Sequence, residues 1–460
     1  MRRRGRATGV AVTGLAAAAV LSGCGSSGGS GNGAEGTGGA GGGGKAAAVP
    51  ELKVPAGFDA TRAWAVKASE GLTSPVVTPG GDVVLFVRQD TDANTATVVA
   101  RDLKTGAVRW SGKPWKLPKP KDGGINSAAL SVTSEKGKAY AVLNAYGSTG
   151  DDGVNKGTDV ARTAAYAVES SGDAVAPVAN AQVLGATGLG QMQDDGVMVL
   201  STARDAGAVD VVSGAVTTYP DAKLKAPAEA KGCRDGFADC DVDPEFVAAT
   251  PHGPLVNGVY TYWLSGTDGG GWYSENDRPS GASEASGDAK AIARLHAGGK
   301  ALATRRTATG ESLWTVQDAG TGALESSVTC ENRYDGNDTQ NKNPYRISTG
   351  GDYLINDVVA FDLKAKKGYC YGASSERNRI PLLSVDSTGT AYGFATKADS
   401  VGAVTETPAS ISLSSGKATP LAKGTLIPAQ IGGDVAMFDD SSYADGQLPK
   451  GYTAVFAPRS

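Results

Sequence analysis

One arrangement recurs along this chain and restricts its fold more than any other feature. A β-prone run leads into a polar turn closed by glycine, and a second β-prone run leaves it. The pattern is plainest in "ARDLKTGAVRW" at 100–110, where the turn ends at Gly106. Related turns end at Gly172, Gly214, Gly322, Gly368 and Gly416, and the successive gaps from Gly106 onward are 66, 42, 108, 46 and 48 residues. Glycine suits a turn that needs positive φ, and the Asp or Ser ahead of it can bond the turn's backbone. The 108-residue gap spans two periods, so a degenerate unit is expected inside it, at "GVYTYWLSGTDG" (258–269). Apolar spacing of helical period never persists beyond a turn or two, which leaves an all-β chain.

The segment ahead of each turn also recurs. "TSPVVTPGGDVVLF" (73–86), "PLLSVDSTGTAYGF" (381–394) and "IPAQIGGDVAMF" (427–438) share a short strand, a glycine turn and a second strand. One unit therefore holds four strands in roughly 40–60 residues, the size of a propeller blade. Repeated around an axis, such units predict a single all-β β-propeller domain over residues 50–460. Eight four-stranded blades are expected, with seven as the alternative because residues 215–300 are irregular. The two ends complement each other. "TRAWAV" (61–66) reads as a fourth strand without its first three, and "YTAVFAP" (452–458) as a third strand without a fourth. Pairing them closes the ring and removes two open sheet edges.

The 100–110 stretch resembles the repeat of the pyrroloquinoline-quinone-like β-propellers, Asp-x-x-Thr-Gly-x-x-x-Trp, with Asp102, Thr105, Gly106 and Trp110 in the pattern positions. "RTATGESLW" supplies Thr309, Gly310 and Trp314 in the same spacing. Gly310 lies only 12 residues before Gly322, so it is assigned to the preceding hairpin. The resemblance implies either a quinone-dependent dehydrogenase or a non-catalytic propeller lipoprotein, such as the propeller subunit of the bacterial outer-membrane assembly machine. Trp64 and Trp110 fall where packing between blades wants a large flat ring.

The N-terminus reads as an address. Arg2, Arg3, Arg4 and Arg6 precede a short apolar run that ends in Leu21-Ser22-Gly23-Cys24. Residues 1–23 have the layout of a secretory signal, and the last four residues resemble the lipobox of bacterial lipoproteins. That resemblance implies a diacylglyceryl group on Cys24 and a mature chain that begins there, held at the cell membrane on its extracytoplasmic face. Each buried acyl methylene contributes roughly 0.8 kcal/mol to such an anchor. Residues 24–49 are dominated by glycine and serine and read as a flexible tether with a reach of roughly 25–30 Å.

Charge and chemistry narrow the function classes. The whole chain carries −4, and losing the four signal arginines takes it to −8, with no basic block; this argues against a nucleic-acid partner. Beyond Cys24, four cysteines remain: Cys233, Cys240, Cys330 and Cys370. An even number in an exported chain reads as two disulfides, with Cys233–Cys240 and Cys330–Cys370 the first of three possible pairings. The intervening gaps of 6, 89 and 39 residues do not suit a zinc site. His252 and His296 stand in no triad or metal pair, and "DTDANT" at 90–95 lacks the spacing of a calcium loop. No catalytic residue, metal or cofactor is expected. The candidate binding loop is the irregular unit, where Trp263, Trp272 and Tyr273 border a long polar insertion. The overall expectation is a monomeric, lipid-anchored binding or scaffolding module for a protein, peptide or envelope glycan. A quinone-dependent dehydrogenase and an extracellular ligand sensor are the alternatives.

Overall fold

The computed structural model describes Val49 and residues 51–460, apart from 122–126, 151–153, 155, 194, 203–204, 227–243, 259–260, 267–270, 275–289, 292–298, 308, 331–344, 399–403 and 443–447. Cys24, the tether, Cys233, Cys240, His296 and nearly all of the polar insertion after Tyr273 lie outside the described residues.

The strands form eight sheets, and each contains the four antiparallel strands of one blade. Blade 1 spans Leu72 to Gly112, blade 2 Ala129 to Leu184, blade 3 Gln191 to Pro220 and blade 4 Glu245 to Tyr273. Blades 5, 6 and 7 run from Lys290 to Cys330, Arg346 to Cys370 and Leu382 to Pro420. Blade 8 takes its first three strands from Gln430 to Pro458 and its fourth, Trp64–Lys67, from the other end of the chain. The eight-bladed reading therefore holds. The degenerate unit forms blade 4, with a third strand of only Tyr262–Leu264 and a fourth of Trp272–Tyr273.

Ring closure joins Trp64 to Phe456 and Val66 to Ala454 in antiparallel register. Trp64 also stacks on Phe456, with centroids 4.1 Å apart and planes 11° from parallel. Residues outside the strands reinforce the join. Asp59 N donates to the Pro458 carbonyl at 2.8 Å and Ser460 N to that of Gly57 at 3.1 Å. Arg62 Nη2 donates to the Arg459 carbonyl at 2.6 Å. Arg459 in turn pairs at 2.5 Å with Asp386 of blade 7, a carboxylate that is almost wholly buried.

No single core runs through the molecule. Among the described residues, eight hydrophobic clusters each occupy the seam between two neighbouring blades. A chain of this length thereby buries its apolar residues in repeated nearest-neighbour interfaces instead of one large centre.

The repeated turn is the keystone of these seams. Asp102 Oδ1 accepts from the backbone of Lys104 and Thr105 at 3.1 and 2.9 Å, and Gly106 N closes the turn on the Asp102 carbonyl at 2.8 Å. The same closing bond of 2.8 Å joins Gly214 to Asp210, Gly322 to Asp318 and Gly416 to Ser412. Partial burial pushes the Asp102 carboxyl upward in pKa, but hydrogen bonds from Arg109 and Thr105 outweigh it and hold the group below its ordinary value.

The fourth strand of one blade then covers the turn of the next. Trp64 Nε1 donates to the Leu103 carbonyl at 2.9 Å, and a Cβ on Gly106 would lie 2.6 Å from the Trp64 ring. Trp272 repeats this on blade 5: its Nε1 donates to the Ala319 carbonyl at 3.0 Å, and its ring lies over Gly322. Trp110 Nε1 donates to the Val168 carbonyl of blade 2 at 2.8 Å. Elsewhere the cover is the Asn180 carbonyl over Gly214 and the Tyr369 ring near Gly416. Trp64 and Trp110 are thus seam residues, as expected.

Two sequence assignments shift, and a third holds. Gly172 does not close the standard turn. It opens a short strand, Gly172–Val175, that runs parallel to the fourth strand of blade 1, while Ala179–Leu184 is the fourth strand of blade 2. The extra residues in this turn reach back over the blade 1 edge. In "FDLKAKKGY" the left-handed position is Lys366, with φ 54°, four residues after Asp362. Gly368 lies in the following strand, where Val328 leaves no room for a Cβ. Gly310, with φ 84°, sits between the second and third strands of blade 5, as assigned, and Trp314 falls in that third strand.

Cys330 and Cys370 form a disulfide with Cα atoms 5.4 Å apart. They end the fourth strands of blades 5 and 6, so the bond staples one seam.

Two predictions follow from these contacts. Trp64→Ala removes the closing stack and uncovers Gly106; a loss of about 3–5 kcal/mol is expected, read as a lowered apparent Tm, and deletion of residues 61–66 should lower it further. An unchanged melt in the deletion would refute closure by this strand. Removing the Cys330–Cys370 bond frees a loop with a sequence separation of 40. In the chain-entropy account that costs about 4 kcal/mol, measured as a lower denaturation midpoint for Cys330→Ser/Cys370→Ser than for the oxidised protein.

Candidate functional site: the central channel

In six of the eight blades the first strand reaches the interior of the ring. Blades 1, 2, 3, 6, 7 and 8 contribute such strands to a cavity of about 470 Å³ on the axis. That volume lies within the usual range for small-molecule sites.

Polar side chains on these inner strands are spent on joining blades. Gln430 of blade 8 grips blade 1 with both ends of its amide. Its Oε1 accepts from Val77 N at 3.0 Å, and its Nε2 donates to the Pro75 carbonyl at 3.4 Å. Gln193 of blade 3 does the same to blade 4, accepting from Ala249 N at 2.9 Å and donating to its carbonyl at 3.1 Å. Ser384 Oγ donates to the Pro428 carbonyl at 2.7 Å, from blade 7 to blade 8. Thr133 Oγ1 donates to the Gln193 carbonyl at 2.7 Å, from blade 2 to blade 3.

The turns between first and second strands converge at one end. Three of them contain Gly-Gly-Asp, at 80–82, 350–352 and 432–434. A Cβ on Gly81 would lie 2.3 Å from Gly433 N, so only glycine permits this approach of blade 1 to blade 8. Gly433 N also donates to Thr349 Oγ1 of blade 6 at 3.4 Å, and that hydroxyl reaches the Ile431 carbonyl at 3.5 Å. These contacts skip blade 7 and narrow the channel where the turns meet.

The cavity is lined by aliphatic residues, among them Val76, Val132, Ile347, Val385 and Ile431, and by hydroxyl residues, among them Thr78, Ser131, Thr133, Ser348, Thr349 and Ser384. Arg346, half-buried in the first strand of blade 6, is the one charged residue among the described lining residues.

The aromatics expected to form a rim loop are placed differently. Trp263 is fully buried and its Nε1 donates to the Leu224 carbonyl at 3.1 Å; Tyr273, its cross-strand partner, is buried as well. Trp272 is half-buried over Gly322 and meets Tyr262 edge-on at 5.7 Å. All three serve packing within and between blades, because the irregular unit still needs a covered seam. His252 stands exposed in a turn of blade 4, against Gly320. In "DTDANT", Asp90 Oδ1 accepts from Ala93 N at 2.8 Å and caps its own hairpin. Sequence reading found several of these first strands but neither Arg346 nor the cavity they line; the threefold Gly-Gly-Asp is the signal that marks the converging turns.

No protein-family profile and no curated protein matches the chain. Among solved structures, an uncharacterized protein of Listeria monocytogenes is 8% identical, with a TM-score of 0.37 over 80% of this chain and 89% of that one. A europium-containing methanol dehydrogenase is 12% identical, with a TM-score of 0.37 over 86% and 92%. Dipeptidyl peptidase 4 of Porphyromonas gingivalis is 10% identical, with a TM-score of 0.41 over 83% of this chain and 56% of that protein. Likenesses this slight carry no argument about function, and the strand pairing alone establishes the ring.

Removing the Gln430 amide strands Val77 N and the Pro75 carbonyl at the blade 8–blade 1 seam. Gln430→Ala is expected to cost about 1–3 kcal/mol, seen as a lower denaturation midpoint, while Gln430→Glu, which keeps one acceptor, should cost less.

Proposed function

We propose that this chain is a lipid-anchored extracytoplasmic β-propeller that binds or scaffolds a protein, peptide or envelope glycan and performs no covalent chemistry. The observation that carries this reading is the order of parts: an apolar run ending at Leu21-Ser22-Gly23-Cys24, a glycine- and serine-rich tether, then a ring that closes on itself. A tether suits a domain that must stand off a surface and still turn to meet a partner. A closed ring suits rigid presentation of loops, since its inner polar groups are engaged in holding neighbouring blades. The diacylglyceryl group on Cys24 is the membrane attachment in this reading, and the mature chain acts as a monomer.

Cell fractionation with fatty-acid labelling tests the anchor. Wild-type protein should sediment with membranes and incorporate an alkyne-tagged fatty acid, whereas Cys24→Ala should be unlabelled and appear in the soluble or medium fraction. Sedimentation of unlabelled Cys24→Ala with membranes would refute it. Proximity labelling from the native tether then identifies the partner.

A further inference from the structure

We propose that the outer edge of blade 2 is a docking site for an extended, uncharged segment of a partner protein, which adds to the blade as a fifth strand. This rests on the reading that the chain binds a protein or peptide, and it assigns that contact to one strand. The fourth strand of blade 2, Ala179–Leu184, is the last of its sheet. Apart from its pairing with the third strand, its backbone forms no hydrogen bond among the described residues. In an antiparallel pair every second residue turns its N–H and C=O away from the partner. Gly185 N donates to the Asp159 carbonyl at 2.8 Å. That bond assigns the odd-numbered residues to the third strand and leaves Asn180, Gln182 and Leu184 facing outward. The other seven outer edges are covered, short or interrupted. Gly172–Val175 lies on blade 1, and blade 4 offers only two residues. Lysine stands in the edges of blades 6, 7 and 8, and proline in those of blades 3 and 7. The edge of blade 5 carries glutamate and the disulfide. Charges, prolines and covers are the means by which a sheet edge is kept from pairing. The six residues of blade 2, Ala-Asn-Ala-Gln-Val-Leu, have none of them.

The edge also selects its occupant. Blade 1 shows the mode: Gly172–Val175, from the turn that leads into the blade 2 edge, seats itself on the neighbouring edge, and Lys113 N donates to the Val175 carbonyl at 2.8 Å. A short extended segment is therefore enough to cover such an edge. Along blade 2 the exposed side chains are Val178, Asn180, Gln182 and Leu184, and the aliphatic residues at the two ends are 53% and 56% accessible. This strip carries no charge, so a charged side chain laid against it would find no counter-ion. A partner strand whose alternate residues read apolar, amide, amide, apolar matches it pair by pair. Main-chain bonds then supply the affinity, and the alternate side chains the selectivity. A glycan lacks the row of amide donors and acceptors that an open edge pairs with.

The test uses the full chain carrying Cys24→Ala, which removes the acyl anchor. The probe is the fluorescein-labelled peptide Leu-Thr-Gln-Thr-Asn-Thr-Val with blocked ends, followed by fluorescence anisotropy. One saturable site per chain is expected. N-methylation of the peptide's Gln and Asn removes the N–H groups that face the edge and should weaken binding at least about tenfold, whereas N-methylation of its last two threonines should change it less than about twofold. Gln182→Pro loses an outward N–H and leaves the pairing with the third strand intact; it should weaken the peptide at least about tenfold with an unchanged melt, and Gln182→Ser should retain binding. If the proline variant does not fold, the two methylated peptides on the unsubstituted edge decide alone. Three results would overturn the proposal: no saturable site on folded protein, equal binding of the two methylated peptides, or a dimer of the unliganded chain that Gln182→Pro dissociates, since a second copy would then occupy the edge. A partner reached by proximity labelling equally from wild type and from folded Gln182→Pro would leave the proposed function standing and remove this site from it.

Discussion

The ring depends on one contact repeated at most of its seams: a residue on the fourth strand of a blade laid over the turn of the next. Where that residue is tryptophan, as at Trp64, Trp110 and Trp272, the indole N–H also binds a turn carbonyl. The arrangement couples a large apolar surface to a single directional bond. The surface supplies burial, and the N–H fixes the angle at which one sheet meets another. It also explains the glycine. At Gly106 and Gly322 the missing Cβ is the space the ring occupies, so positive φ and close approach are required at the same atom. Asp and Thr around that glycine hold the turn in shape through bonds within the turn itself.

Other ties serve the same end, some beside a tryptophan and some without one. Gln193 and Gln430 grip the adjacent backbone from the inner strands. The Cys330–Cys370 bond ties two outer strands covalently. Blade 2 sends Gly172–Val175 back onto the blade 1 edge. A repeat protein built this way keeps its geometry while its sequence drifts, because each interface needs only one adequate solution.

Much of the architecture was legible because period, turn chemistry and strand alternation are local properties. "ARDLKTGAVRW" carries Asp, Thr, Gly and Trp in one line, and the orphan strands at 61–66 and 452–458 point at each other by what each lacks. What could not be read is what depends on neighbours distant in sequence. Lys366 takes a left-handed turn that glycine takes elsewhere, so the eye follows Gly368 two residues too far. Trp263 and Tyr273 beside a glycine-rich stretch suggest a loop, yet the hydrogen bond of Trp263 to Leu224 shows a buried strand. Arg346 has no local signature at all. Only the ring brings it to a cavity that the inner strands of five other blades also line.

The closing blade has a mechanical consequence. Tension arriving along the residues before Trp64 meets the ring where Phe58 bridges Arg459, Asp59 bonds Pro458 and Arg62 bonds the Arg459 carbonyl. These bonds share the load ahead of the short closing strand, so a pull reaches the Trp64 stack only after they give way. The polypeptide's far end therefore serves as a strain relief, gripping the lead-in much as a collar protects a cable at its socket.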